Sequence, residues 1–165
     1  MKKFILPIIL VILFSCRESS ERAFENFSLS ISNRNFNYNL ESGIFQIPGI
    51  NFGDTVKLNK VEKNKISKAF YQFRIDTLNG EKLVLPKKLV IMPDFRNIIT
   101  VKVKNIQKSK LIISNQINTK SDLSNLENGI YKFNKDLIEI LDENPDFKNC
   151  MNILKSNYKN IPPSM

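Results

Sequence analysis

The chain has 165 residues, 42% hydrophobic and 25% charged, a balance that excludes a disordered or fibrous polymer and suits one domain of ordinary size. It contains no histidine, which removes Ser-His-Asp and Cys-His catalysis and most zinc sites in one step. The formal net charge is +9, of which Lys2 and Lys3 contribute two, leaving +7 for residues 16–165.

Lys2 and Lys3 precede an apolar run from Phe4 to Phe14, broken in helix character only by Pro7. A positive segment followed by a short apolar one is the layout of an export signal. A membrane-spanning helix needs about 20 apolar residues to cross about 30 Å of hydrocarbon, and this run is roughly half as long. At its end, Leu13, Phe14, Ser15 and Cys16 place an aliphatic, a variable and a small residue before a cysteine. The segment resembles the lipobox of bacterial lipoproteins. The resemblance implies that residues 1–15 are a cleaved signal peptide and that the Cys16 thiol carries a diacylglyceryl group. The freed amine then accepts a further acyl chain, palmitate being the expected kind. One acyl chain anchors marginally and two or three anchor stably, at about 0.8 kcal/mol per buried methylene. An ordinary secretory signal is the alternative. The expected location is the cell envelope, at the periplasmic or surface face of a bacterial membrane. There nucleic acid is not an expected partner, whereas anionic lipid, acidic glycan or an envelope protein is. Simple solubility also accounts for the charge.

Residues 16–24 are polar and read as a tether, and residues 25–165 as a single domain. Phe27, Leu29 and Ile31 alternate with Ser28, Ser30 and Ser32, the period of a strand with one wet face. Asn33–Asn35 reads as a turn into a second strand, Phe36 to Leu40. Short extended pieces are expected at Ile44–Ile47 and Thr55–Leu58, among Gly43, Pro48, Gly49 and Gly53. Ile66, Ala69, Phe70 and Phe73 then form the stripe of an amphipathic helix over about 60–74, with Asn59 as its N-cap. After a turn at Asn79-Gly80, Leu83–Leu85 and Leu89–Met92 are short apolar runs separated by Pro86. Ile99, Val101 and Val103 alternate with Thr100, Lys102 and Lys104, followed by a loop around Gln107–Lys110 and a strand at Leu111–Ser114. The last third reads as helical: a short helix over Leu123 and Leu126 capped by Ser121 and Asp122, a longer one from Tyr131 to Glu143, and a third opened by Pro145 and running to about Asn157. Strands first and helices last predict an α+β fold, a small antiparallel sheet from the first two-thirds with one inserted helix and a helical final third.

The sequence offers few sites for chemistry. Asp136, Glu139 and Glu143 share a helix face, which a solvated acidic surface opposite the apolar stripe explains fully, a carboxylate-only hydrolase being the alternative. Asp142, Asn144 and Asp146 resemble the opening of a calcium loop, but Phe147 stands where glycine is needed, so carboxylates at helix ends account for them better. With Cys16 committed to the anchor, Cys150 is unpaired. Phe147, Cys150, Met151 and Leu154 fall at helical spacing and make it a small buried apolar residue, a reactive thiol being the alternative. Lys87, Lys88, Lys102, Lys104, Lys108 and Lys110 are the candidate basic patch, though lysines that keep an edge strand soluble account for them better. Asp54-Thr55-Val56 and Asp76-Thr77-Leu78 resemble a bacterial O-glycosylation motif, and Asn26-Phe27-Ser28 fits the N-glycosylation sequon. No cofactor and no metal are expected. The expected function is that of a lipid-anchored, non-catalytic binding module. The alternatives are an immunity or inhibitor lipoprotein acting on a toxin or hydrolase, and a carboxylate-only cell-wall hydrolase.

Overall fold

Alternating side chains at one end of the chain and helical stripes at the other build two layers. The computed structural model describes residues 26–87, 94–117 and 123–157. The signal segment, Cys16, the tether, the Leu89–Met92 run and the expected caps Ser121 and Asp122 lie outside the described residues. The fold is α+β: among the described residues, a seven-stranded, mostly antiparallel sheet and three α-helices, two of them C-terminal.

The strands are β1 (Ser28–Ser32), β2 (Asn37–Asn39), β3 (Ile44–Ile47), β4 (Phe52–Thr55), β5 (Gly80–Val84), β6 (Arg96–Val103) and β7 (Ile106–Ser114), in the spatial order β4-β3-β2-β1-β6-β7-β5. The first four form a meander. Helix α1 (Lys60–Gln72) carries the chain from the β4 edge to β5 at the opposite edge, and β6 and β7 fill the gap between β1 and β5. The β5–β7 pair is consequently parallel, an exception to the antiparallel expectation. Helices α2 (Asn125–Glu143) and α3 (Pro145–Ser156) follow.

Local chemistry explains the joints. Asn33 Oδ1 accepts from the amides of Asn35 (2.8 Å) and Phe36 (3.1 Å), and Asn39 Oδ1 accepts from Glu41 (2.9 Å) and Ser42 (3.0 Å), closing two side-chain turns. Gly43 is required where it stands: its φ is +74°, and a Cβ would lie 2.7 Å from the Val56 carbonyl oxygen. Helices α1 and α2 both open with complete capping boxes, Asn59 with Glu62 and Ser124 with Glu127.

All three helices lie on one face of the sheet. Its inward residues, among them Leu29, Ile31, Phe45, Ile99, Val101 and Leu111, are at most 1% exposed. Phe36, Tyr38 and Phe45 surround Phe147 of α3 at centroid distances of 5.6–6.0 Å. A second aromatic group stacks Phe27 on Phe70 of α1 at 3.9 Å, with Phe133 of α2 6.1 Å from Phe70.

Three local expectations are corrected. The fourth strand is Phe52–Thr55, because Val56 and Leu58 turn inward as core residues of the connector to α1. The segment Gln107–Lys110 is strand, not loop: the turn falls earlier, at Lys104-Asn105, both with positive φ. One helix starting at Asn125 replaces the expected pair, since Ser124 and Glu127 supply the cap.

A buried polar junction ties the helices together. Asn144 accepts from the Phe147 amide (3.0 Å) as N-cap of α3, and its Nδ2 donates to the Lys57 carbonyl (3.0 Å) and to both carboxylate oxygens of Glu62 (3.1 Å). Replacing Asn144→Ala removes a cap worth about 1 kcal/mol and strips a buried carboxylate of a donor at a further cost of about 1–3 kcal/mol. Urea unfolding of this variant is expected to show a loss of about 3 kcal/mol, whereas Asp142→Ala, at an exposed neighbouring position, should stay within about 0.5 kcal/mol of the wild type.

Candidate binding surface

The helices cover one face of the sheet, and no described element packs on the other. Strand register orders the open face into rows. One row runs Leu83, Ile112, Ile98, Ser32, Asn37, Gln46 across six strands, apolar at the β5 side and amide or hydroxyl beyond. The next runs Glu81, Lys110, Thr100, Ser30, Asn39. Leu83 is 47% exposed and Ile44, on the same face, 48%.

The candidate lysines do not gather at one place. Lys102 sits on the open face opposite Ser28, and Lys104 in the two-residue turn of the β6–β7 hairpin. Both are exposed. With Asn26, Ser28, Glu41 and Lys63 they line a depression of about 450 Å³. Lys110 pairs with Glu81 at 3.2 Å, and Lys108 donates to the Asp76 carbonyl. Lys108 is also the residue left over where the β6–β7 register shifts, since Val101 faces Ser109 and Lys102 faces Gln107. Lys87 follows β5, which runs parallel to β7, so it lies toward the end of the sheet away from the hairpin. Lys88 lies outside the described residues. The edge-strand reading is corrected: β6 at Lys102 and β7 at Lys110 are paired on both sides, and the edges of the sheet are β4 and β5.

A second depression, about 340 Å³, opens at the other end of β6 and β7. Asn97, Asn115, Asn134 and Tyr131 contribute polar groups to it, and Ile117 and Ile138 apolar ones. Asn33 donates to Asn97 (3.4 Å) and Asn97 to Asn134 (3.2 Å). Nearby, the Asp94 carboxylate accepts from Arg96 Nε and Ser114 Oγ, each at 2.6 Å.

Asp136, Glu139 and Glu143 line a groove of about 350 Å³ shared with Lys65 and Lys68 of α1. Lys65 bonds Glu143 at 2.7 Å, and Lys135 bonds Glu139 at 3.4 Å. The acidic helix face is thus matched to a basic one. Asp142, Asn144 and Asp146 occupy the end of α2, the N-cap of α3 and the first turn of α3, the geometry of helix ends.

No protein-family model matches the chain, nor does any curated protein or any solved structure compared with it. The features that sequence reasoning missed are the turn at Lys104-Asn105 and the approach of Lys63 to Lys102 and Lys104. The break in alternation at Lys104-Asn105, two polar residues in succession between Val103 and Ile106, is the signal for the first. The second joins distant segments and has no local signal.

Cys150 is 1% exposed and unpaired. Burial, with the nearby Asp54 and Asp146 charges, pushes its thiol up from 9.0 to about 11. Two pH units cut the reactive thiolate about 100-fold. At pH 7 a thiol reagent should therefore label the native protein at least about 100-fold more slowly than the urea-unfolded chain. A raised folded value also means that this group's stabilising contribution is complete below pH 9.0 and is lost as pH climbs through about 11.

Proposed function

We propose that this is a lipid-anchored cell-envelope protein, attached through Cys16 and a short tether, whose domain is a non-catalytic module that binds a partner protein in the envelope. The observation that carries the binding role is the one-sided sheet. A sheet in a two-layer domain buries one face and solvates the other. Here the solvated face carries Leu83, Ile112 and Ile98 in one row running inward from the β5 edge, with hydroxyl and amide side chains farther along it and the Glu81–Lys110 ion pair in the next row. An exposed apolar strip bordered by hydroxyl, amide and paired charged groups is a composition suited to binding a protein. The anchor reading rests on Lys2, Lys3, the apolar run and the lipobox resemblance at Leu13 to Cys16.

Two measurements test the two halves. Cys16→Ser should abolish incorporation of labelled fatty acid and release the protein from membranes, and continued labelling of that variant would overturn the anchor. For the binding half, photo-crosslinking residues placed at Thr100 on the open face and at Lys148 on α3 are compared in the native cell. Discrete adducts are expected from Thr100 and not from Lys148, and the reverse pattern would remove the open face from consideration.

A further inference from the structure

At the tip of the β6–β7 hairpin, Ile106 is 73% exposed, more than any other large apolar residue among those described. It directly follows the two-residue turn Lys104-Asn105 and pairs with Val103. A solvent-exposed isoleucine at a hairpin tip contributes nothing to the core. Its neighbours are basic: Lys102 and Lys104 are exposed on the same tip. Lys104 has φ +51° and Asn105 φ +64°. This turn type favours Asn or Gly at both places. A lysine therefore stands where backbone geometry alone selects against it.

The chain enters the domain at this same end. Asn26 lines the depression that Lys102 and Lys104 share. Nine residues, 17–25, separate the proposed anchor Cys16 from Asn26, and the ten steps from Cys16 to Asn26 reach at most about 35 Å when fully extended. Strand β7 has nine residues and is about 30 Å long, so the opposite end of the sheet stands that much farther from the point of attachment. Glu41 also lines the depression and offsets part of its positive charge, while Lys63 adds to it.

We propose that this hairpin tip docks on the anionic phospholipid surface that holds the anchor, with Ile106 entering the head-group layer and Lys102 and Lys104 binding lipid phosphates. The proposal rests on the lipid-anchor reading above and specifies how the domain is oriented by it. An exposed apolar residue with two lysines on the same hairpin tip is a composition suited to an interfacial membrane contact, and each lysine near an anionic surface strengthens binding roughly five-fold. Docking at this end leaves the open sheet face directed along the membrane or away from it, free for a partner.

The chain contains no tryptophan, so Ile106→Trp places a single depth probe at the tip. The full chain carrying that substitution is reconstituted into vesicles of phosphatidylcholine with 30 mol% phosphatidylglycerol, and separately into phosphatidylcholine alone. The expected result is a blue-shifted emission, quenched by brominated lipid, in the anionic vesicles, largely lost in 1 M salt and in the neutral vesicles. Adding Lys102→Glu and Lys104→Glu should weaken tip association by at least about 25-fold. Gln46→Trp, on the open face, should stay unquenched throughout. Emission from the tip that remains water-like in anionic vesicles while the protein floats with them overturns the docking proposal and leaves the anchor intact. A blue shift that needs high protein concentration and no lipid assigns the tip to a second copy of the chain, and also overturns it. Loss of flotation alone rejects the anchor. Salt-sensitive quenching of the Ile106→Trp probe in a Cys16→Ser chain mixed with the anionic vesicles would then still support the docking surface.

Discussion

The contact between Asn144 and Glu62 joins two helix N-termini through one buried carboxylate. Glu62 is 7% exposed and Asn144 3%. A carboxylate so deeply placed costs several kcal/mol unless hydrogen bonds replace its water. Those bonds come from the Asn59 amide at 2.7 Å and the Asn144 side-chain amide at 3.1 Å, and the positive end of the α1 dipole adds its attraction. Asn144 in turn has its oxygen committed to the α3 cap and its nitrogen to Glu62 and the Lys57 carbonyl. The angle between α2 and α3, the entry into α1 and the end of the connector from β4 are therefore one bonded unit.

That unit fixes how the helical layer meets the sheet. Phe147 lies three residues after Asn144, and its amide is the group that Asn144 caps. Its ring fills the space among Phe36, Tyr38 and Phe45. The Tyr38 hydroxyl reaches back to the Val56 carbonyl at 3.3 Å, in a setting whose burial raises the phenol's pKa. Aromatic packing and the polar junction support each other. The rings exclude water from the amide–carboxylate bonds, and the bonds hold the helix that carries the central ring. Because α1 also crosses from one sheet edge to the other beneath the same face, all three helices are committed to one side. The second face is left open as a consequence of topology.

What could be read from the sequence divides along the range of the interactions. The alternation in Phe27–Ser32 and Phe36–Leu40, the α1 stripe with Asn59 at its start and Pro145 at the head of α3 are local patterns, and each matches an element of the structure. The β6–β7 turn was misplaced because Lys104-Asn105 has none of the glycine that ordinarily marks a hairpin. The α2 start was obscured because Leu123 and Leu126 resemble a helix of their own. The strand order, with β5 at the far edge and parallel to β7, depends on where α1 delivers the chain, and no residue pattern encodes that. The Asn144–Glu62 contact spans 82 positions. Inspection of Asp142, Asn144 and Asp146 recovers the helix ends but not the partner across the core. For the candidate surface, the wet face of β6 was legible from alternation, while its interior position in the sheet was not.

The same distinction explains why the candidate lysines among the described residues, so similar in the sequence, end in different roles. Lys110 lies directly across from Glu81 because β5 and β7 are in parallel register, so its charge is met within the sheet. Lys108 is displaced by the register shift and turns to the Asp76 carbonyl. Lys102 and Lys104 lie on the far side of that shift, where the hairpin extends past β5 and has no acidic strand beside it. The irregularity between Val101 and Lys102 is thus what divides the basic residues into a pair bonded within the fold and a pair turned outward. It also sets Ile106 opposite Val103 at the tip, beyond the reach of the helical layer, so that one extra residue in β7 places an apolar side chain and two cations together beside the point where the chain enters the domain.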